Sequence, residues 1–292
     1  MRPVYEITVG GRRYHLGART SVMGILNVTP DSFSNDGLRI KKPGDVRAAA
    51  ERACRMAEAG ADIIDIGGES TRPQAAAVSA AEEVRRVIPV VKAIAGKLRV
   101  PISVDTYKVS VARAALDAGA TIINTIQGCS LGEKPEQSLL RAVRNYCAAV
   151  VLMHMRGKPR TMQKNIHYGN AVQEIYDALR RAVNICLDAG IRRDKIIIDP
   201  GIGFGKTTAH NLEIINRLDS FHQIGQPVLI GPSRKFFIGE ILNAAVENRL
   251  SGTIAAVCAA VSRGAHIVRV HDVRPIVEAV RVMDSVLLEK AV

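Results

Sequence analysis

Ile196-Ile-Ile-Asp-Pro-Gly-Ile-Gly-Phe-Gly-Lys206 is the stretch whose reading decides the fold. The isoleucine run suits a short β-strand, it ends on Asp199, and a glycine-rich turn follows. Gly205-Lys206-Thr207 also matches the tail of a phosphate-binding P-loop, but that motif needs its first glycine where Pro200 stands. The segment is therefore either a degenerate phosphate cradle or a turn whose glycines bring backbone close to a ligand of Asp199.

Outward from this strand the same design recurs. Compact apolar runs occupy 22–28, 61–67, 101–106, 121–126, 148–154, 195–199, 227–231 and 266–272. Most intervals hold Ala/Arg/Glu/Leu-rich segments with helical spacing, such as 45–59, 79–95, 108–118, 136–146, 170–189 and 252–263. Several of these segments end in Ala-Gly-Ala or a similar turn directly before the next run, as at Ala59-Gly60-Ala61 and Ala118-Gly119-Ala120. Eight strands too apolar to have a wet face, alternating with helices, imply a parallel sheet covered on its outer face. At 292 residues the count favours an α/β (β/α)8 TIM barrel over an open doubly wound sheet. No linker or composition shift divides the chain, so residues 1–292 read as one domain. Residues 1–18 hold a short N-terminal β-hairpin around Gly10-Gly11, and 20–285 form the barrel.

Bulk properties narrow the class. Apolar residues make up 47% of the chain, and no uninterrupted apolar run is long enough to span a membrane. The N-terminal residues, interrupted by Glu6, Arg12 and Arg13, do not resemble a signal peptide. Five scattered cysteines without a C-x-x-C pair suit spare thiols in a reducing compartment, and the expected location is the cytoplasm. The formal charge of +12 is spread over helices without an aromatic-interleaved patch, which argues against a nucleic-acid module and leaves a small anionic ligand open.

In such a barrel the active site forms at the C-terminal strand ends. Here those ends carry Asn27, Asp65 with Glu69 beyond it, Asp105, Asn124, His154, Asp199, Ser233 with Lys235, and Arg269 with His271. One polar strand end is ordinarily a cap or a satisfied core group. The feature at all eight is harder to attribute to capping, because each unpaired buried group costs about 1–3 kcal/mol. Asn27, Thr71, Arg72, Arg269 and His271 are donors suited to a phosphate or diphosphate. Asp105, Asn124 and Asp199 are acceptors for the N–H groups of a guanidine-like ring edge, and Lys235 can donate to a ring carbonyl or nitrogen. The set describes a flat nitrogen heterocycle at the bottom and a diphosphate at the rim.

The motifs Gly24-Ile-Leu-Asn-Val-Thr-Pro-Asp-Ser-Phe-Ser34, Asp65-Ile-Gly-Gly-Glu-Ser-Thr-Arg-Pro73, Val104-Asp-Thr106, Met153-His-Met155, Asp199-Pro-Gly-Ile-Gly-Phe-Gly-Lys206, Ser233-Arg-Lys235 and Arg269-Val-His271 follow in this order. Over about residues 20–285 the chain closely resembles bacterial dihydropteroate synthases of the folate pathway. The resemblance implies a (β/α)8 barrel and a transferase that joins a 6-hydroxymethyl-dihydropterin diphosphate to 4-aminobenzoate with loss of pyrophosphate. It implies that Asp105, Asn124, Asp199 and Lys235 hold the pterin, and that Arg269 and His271 clamp the diphosphate. It makes Asn27 a Mg²⁺ ligand and assigns Thr71, Arg72 and Pro73 to a mobile second loop. Phe204 and Ser233 then lie where the aminobenzoate ring is held. On this reading Asp105, Asp199, Lys235, Arg269 and His271 are the catalytic group, a homodimer is expected, and Lys206 is a solvent-facing or structural lysine.

Three positions depart from the family pattern: Asn35-Asp36 in the first loop, Gln74 after Arg72-Pro73, and Thr125 after Asn124. No insertion interrupts Pro200 to Gly205, so sulfonamides are expected to compete with 4-aminobenzoate. The alternatives are a pterin-binding methyltransferase domain, which would not need Arg269, His271 and Ser233-Arg234-Lys235 together, and a catalytically impaired paralogue. A basic nucleic-acid binder that keeps the barrel is a more distant one.

Overall fold

The computed structural model describes residues 2–29, 43–70, 77–126, 128, 134–157 and 161–291. Each expected strand is present: β3 (Ser21–Asn27), β4 (Ile63–Gly67), β5 (Ile102–Asp105), β6 (Ile122–Thr125), β7 (Ala149–Met153), β8 (Ile196–Asp199), β9 (Leu229–Ile230) and β10 (Ile267–Val270). They pair in parallel in the order β8-β7-β6-β5-β4-β3-β10-β9, and a parallel bridge from Ile198 to Val228 joins the two ends of that row. The strands form a TIM barrel.

Helices cover the outside: α1 (Pro43–Glu58), α2 (Ala80–Ile94), α3 (Val109–Asp117), α4 (Lys134–Asn145), α5 (Ala171–Asp188), α6 (Thr208–Asn216), α7 (Phe236–Leu242), α8 (Leu250–Ser262) and α9 (Val273–Leu288). The spacing argument identifies six of them and leaves α6, α7 and α9 unnamed. Two of these three are short: α6 has nine residues and α7 has seven, too few turns for a clear apolar stripe. Among the described residues no helix is long and apolar enough to cross a membrane.

Side-chain alternation along each strand decides what faces inward. In β8, Ile196 and Ile198 belong to the large core shared with the helices, whereas Ile197 belongs to a separate cluster inside the barrel. Asp199 lies on the same face as Ile197, so it also points inward. The parity repeats: Ile63 sets Asp65, Ile122 sets Asn124, and Ile267 sets Arg269. Apolar residues fill the inner layer at the N-terminal ends of the strands, and polar residues take over farther along.

The hairpin of β1 (Tyr5–Val9) and β2 (Arg12–Leu16) closes the lower end. Its Ile7, Val9 and Leu16 pack on Met23, Ile63, Ile122, Val151, Ile197, Leu229 and Ile267. Each buried aliphatic side chain stabilises this plug by about 1.5–3 kcal/mol. The Lys195 Nζ donates to the Thr8 carbonyl at 2.6 Å and ties the hairpin to the start of β8.

Candidate active site

At the C-terminal mouth the inward polar residues meet across the barrel. Arg269 on β10 donates through Nε to Asp65 Oδ2 on β4 at 2.7 Å. Its Nη2 lies 2.6 Å from the same oxygen and 3.0 Å from Asp105 Oδ2 on β5. Asn124 on β6 donates through Nδ2 to Asp65 Oδ2 at 3.1 Å. Two carboxylates thus share one guanidinium. Burial pushes the Asp105 carboxyl up to about 7; Arg269 opposes the rise, while the neighbouring Asp65 and Glu83 charges add to it.

Asp199 closes the ring of acceptors. One carboxylate oxygen accepts the Gly201 N–H at 2.7 Å, and burial raises the group to about 6 against the pull of that bond and of Lys235. Lys235 precedes α7 as its N-cap, and its Nζ stands 4.1 Å from the centre of the Phe204 ring. Burial, reinforced by Arg269, lowers it to about 8 although Asp199 and Asp105 favour its charge. Phe204 packs with Ile126, Met153 and Met162, an apolar wall beside the acceptors. Asp105, Asn124, Asp199, Lys235, Arg269 and Phe204 are therefore brought together.

His271 and Ser233 form a second group. Ser233 Oγ accepts the His271 backbone N–H at 3.2 Å and lies 3.0 Å from its Nδ1. Ser233 thus orients the imidazole of His271, a contact that motif order does not reveal. Arg234 has φ +55° and makes a two-pronged ion pair with Asp272, at 2.9 and 2.6 Å. That pair fastens the loop before α7 to the end of β10, so Arg234 is engaged with the scaffold. Asn27 ends β3 opposite Gly67, which is itself in register with Asp105. Thr71, Arg72, Pro73 and Gln74 lie outside the described residues, as do Asn35 and Asp36. Thr125 is fully buried.

Two strand-end residues and Lys206 turn elsewhere. Glu69 pairs with Lys108, which also contacts Glu83. His154 and Lys206 contact each other: Lys206 is fully buried, not solvent-facing, with Nζ 3.1 Å from His154 Nδ1 and 3.0 Å from the Phe204 carbonyl. Burial and the Lys206 charge hold His154 well below its ordinary value, which suits a neutral ring accepting at Nδ1. The P-loop-like lysine therefore braces the turn after β8 from below. The turn's glycines serve the same packing. A Cβ at Gly201 would sit 1.9 Å from the His154 carbonyl oxygen, and one at Gly205 would sit 2.5 Å from that of Arg156; both glycines have positive φ. The close approach they permit is to the backbone after β7.

Asp65 is the residue that sorting by strand ends undervalues. It sits mid-strand, fully buried, inside Ile63-Ile64-Asp65-Ile66. A carboxylate on the inward face of an isoleucine run is the signal that marks it.

Comparison with known proteins points to one family. The model of the family described as "Pterin binding enzyme" matches residues 23–271. The dihydropteroate synthase of Escherichia coli strain K12 is 47% identical over 269 residues, covering 92% of each chain. A Yersinia pestis dihydropteroate synthase solved with a sulfonamide drug superposes with TM-score 0.90 at 40% identity, covering 98% of this chain and 100% of that one. A Xanthomonas albilineans dihydropteroate synthase solved with 4-aminobenzoic acid gives TM-score 0.86 at 43% identity, with 98% and 99% covered. The chain belongs to the pterin-binding enzyme family and, within it, to the dihydropteroate synthases.

Proposed function

We propose that this chain condenses (7,8-dihydropterin-6-yl)methyl diphosphate with 4-aminobenzoate, giving 7,8-dihydropteroate and pyrophosphate for folate synthesis. The observation that carries the site assignment is the convergence of Asp105, Asn124 and Asp199 with Lys235 and Arg269 at one barrel mouth, beside the Phe204 wall. The three acceptors take N–H groups along the ring edge, and Lys235 donates to a ring carbonyl or nitrogen. Arg269 and His271 would face the diphosphate and Phe204 and Ser233 the aryl amine, while Thr71, Arg72 and Pro73 join the substrate-binding set through the resemblance alone.

In the reaction the arylamine nitrogen bonds to the methylene carbon, the C–O bond breaks, and the diphosphate leaves with the electron pair. The amine then loses its proton. A neutral arylamine needs no strong base, so the demand falls on the leaving group and on positive charge developing in the pterin. Asp105 and Asp199, buried and under-paired, stabilise that charge where water is excluded.

Among the described residues no group of three or more His, Cys, Asp or Glu could cage a metal. The amide oxygen of Asn27 suits Mg²⁺, which commonly keeps its waters and binds through substrate phosphates and one or two protein oxygens. Asn27 is the residue that would hold it, and the ion would neutralise charge on the departing diphosphate. The chain is further proposed to act on small molecules in the cytoplasm, not on nucleic acid, and as a homodimer.

The test is pyrophosphate release with each substrate omitted in turn, and with Mg²⁺ chelated. Release should require both substrates and the metal; release without 4-aminobenzoate would remove the assignment. Sulfonamides should raise the KM for 4-aminobenzoate without lowering kcat, and an uncompetitive pattern would contradict the aryl site beside Phe204.

A further inference from the structure

Asp65 lies one inward layer below the ring-holding carboxylate. In the parallel ladder it is opposite Ser103, whereas Asp105 is opposite Gly67. Its Oδ2 accepts the Asn124 amide N–H at 3.1 Å and the Arg269 Nε–H at 2.7 Å, while its Oδ1 has no hydrogen-bond partner among the described residues. Two consequences follow from the chemistry of the partners. An amide has one donor end and one acceptor end, so committing the Asn124 NH₂ to Asp65 leaves Oδ1 as the end a ligand can meet. A guanidinium divides itself between the carboxylates it can reach, so charge on Asp65 takes a share of the Arg269 that Asp105 also contacts.

We propose that Asp65 is a positioning residue that sets which rings this site accepts, by fixing Asn124 with its carbonyl toward the ligand and by sharing Arg269 with Asp105. The inference rests on the ring-site reading above. With Asn124 so fixed, the ring edge meets acceptors from Asp105, Asn124 and Asp199 and must supply donors to each. A 2-amino pyrimidine edge does so. A 2-oxo edge presents a carbonyl to an acceptor and leaves both unpaired.

Calorimetric binding of pterin and of its 2-oxo analogue lumazine tests this, with thermal unfolding as the control for folding. The unaltered protein should prefer pterin. In Asp65→Ala the Asn124 amide is released, and the preference should fall about tenfold or more, since discrimination by buried polar groups depends on their being unable to re-pair. In Asp65→Asn the side-chain oxygen can still accept from Asn124 and Arg269, so the preference should survive. The neutral amide no longer competes for Arg269, however, and both rings should bind about tenfold more weakly. A purely structural role predicts no such separation between ratio and strength. A folded Asp65→Ala with the original preference overturns the proposal, as does an Asp65→Asn that binds both rings at full strength. If Asp65→Ala does not fold, the Asp65→Asn measurement decides alone. If the unaltered protein shows no preference for pterin, the ring-site reading falls and this inference with it; a preference that Asp65→Ala leaves intact removes only the inference.

Discussion

The two ends of the barrel treat buried charge in opposite ways. At the lower end Arg2 pairs with Asp284 at 2.8 Å and also donates to Thr20 Oγ1, the Ala265 carbonyl and the Gly17 carbonyl. Asp284 in turn accepts the Thr20 N–H and hydroxyl, so its two oxygens are matched by donors. At the upper end Asp65 and Asp105 share one arginine, and Asp199 accepts a backbone N–H while lying under the long-range pull of Lys235. The lower pair joins the segment before β1 to α9, whereas the upper charges all sit on or just beyond barrel strands. Where charge is saturated with partners it fixes the chain; where it is left short of partners it is available to a ligand.

That contrast is open to attack from both sides. The largest effect should come from Asp105→Asn, which removes a charge without changing shape. We expect kcat to fall by about a hundred- to a thousandfold with a smaller change in KM, as for loss of transition-state stabilisation. Steady-state kinetics that show only a KM effect would mean Asp105 serves binding alone. At the other end, Arg2→Ala leaves Asp284 buried without its cation and should lower stability by about 3 kcal/mol in urea unfolding. The kcat/KM of the folded protein should change by less than about twofold, because Arg2 belongs to the scaffold.

Asp199→Asn should separate the two economies of charge in one molecule. Burial raises the folded carboxyl to about 6, above its unfolded value, so ionising it costs folding free energy. The contribution is favourable at low pH and is lost as pH rises through the folded value. The amide variant should therefore be more stable at pH 8 by about 2 kcal/mol, with the gain disappearing toward pH 4. It should be nearly inactive. Equal stability at both pH values would show that Asp199 carries no such penalty.

The smallest effect is the pH profile of the unaltered enzyme. In the proposed roles Asp199 and Asp105 act as ionised acceptors of N–H groups and Lys235 as a protonated donor. Burial places the carboxyls at about 6 and about 7 and the amine at about 8. We expect kcat/KM to rise with pH through the first interval and fall above the second, by about tenfold per unit on either side. In Lys235→Arg the alkaline fall should move upward, because a guanidinium stays charged.

The fold was legible because most strands are short isoleucine- or valine-rich runs with a polar residue at or just beyond their ends, and most runs can be matched to a helix-like interval. Most residues of the candidate site were legible as well, from the chemistry of those strand ends and from the resemblance to the dihydropteroate synthases. The sequence could not show partners across the barrel. Nothing near Arg234 announces Asp272, and nothing near Ser233 announces its role in orienting His271. Lys206 could be read only as solvent-facing or structural, and the structure favours the second. A lysine after a glycine turn looks exposed until His154, far earlier in the chain, is found beneath it. Asp65 was visible as a polar residue, but its value depends on Asn124 and Arg269 arriving from two other strands.

The hairpin that fills the lower end has a consequence for traffic. With Ile7, Val9 and Leu16 seated among the innermost side chains, the shaft has one open end, and everything that reacts in it shares that doorway. On the proposed assignment the pterin ring would sit against the inward carboxylates above this plug, and the aryl amine would follow onto the Phe204 wall. An amine that arrived early would stand in the ring's path, so this arrangement calls for the pterin diphosphate to enter first.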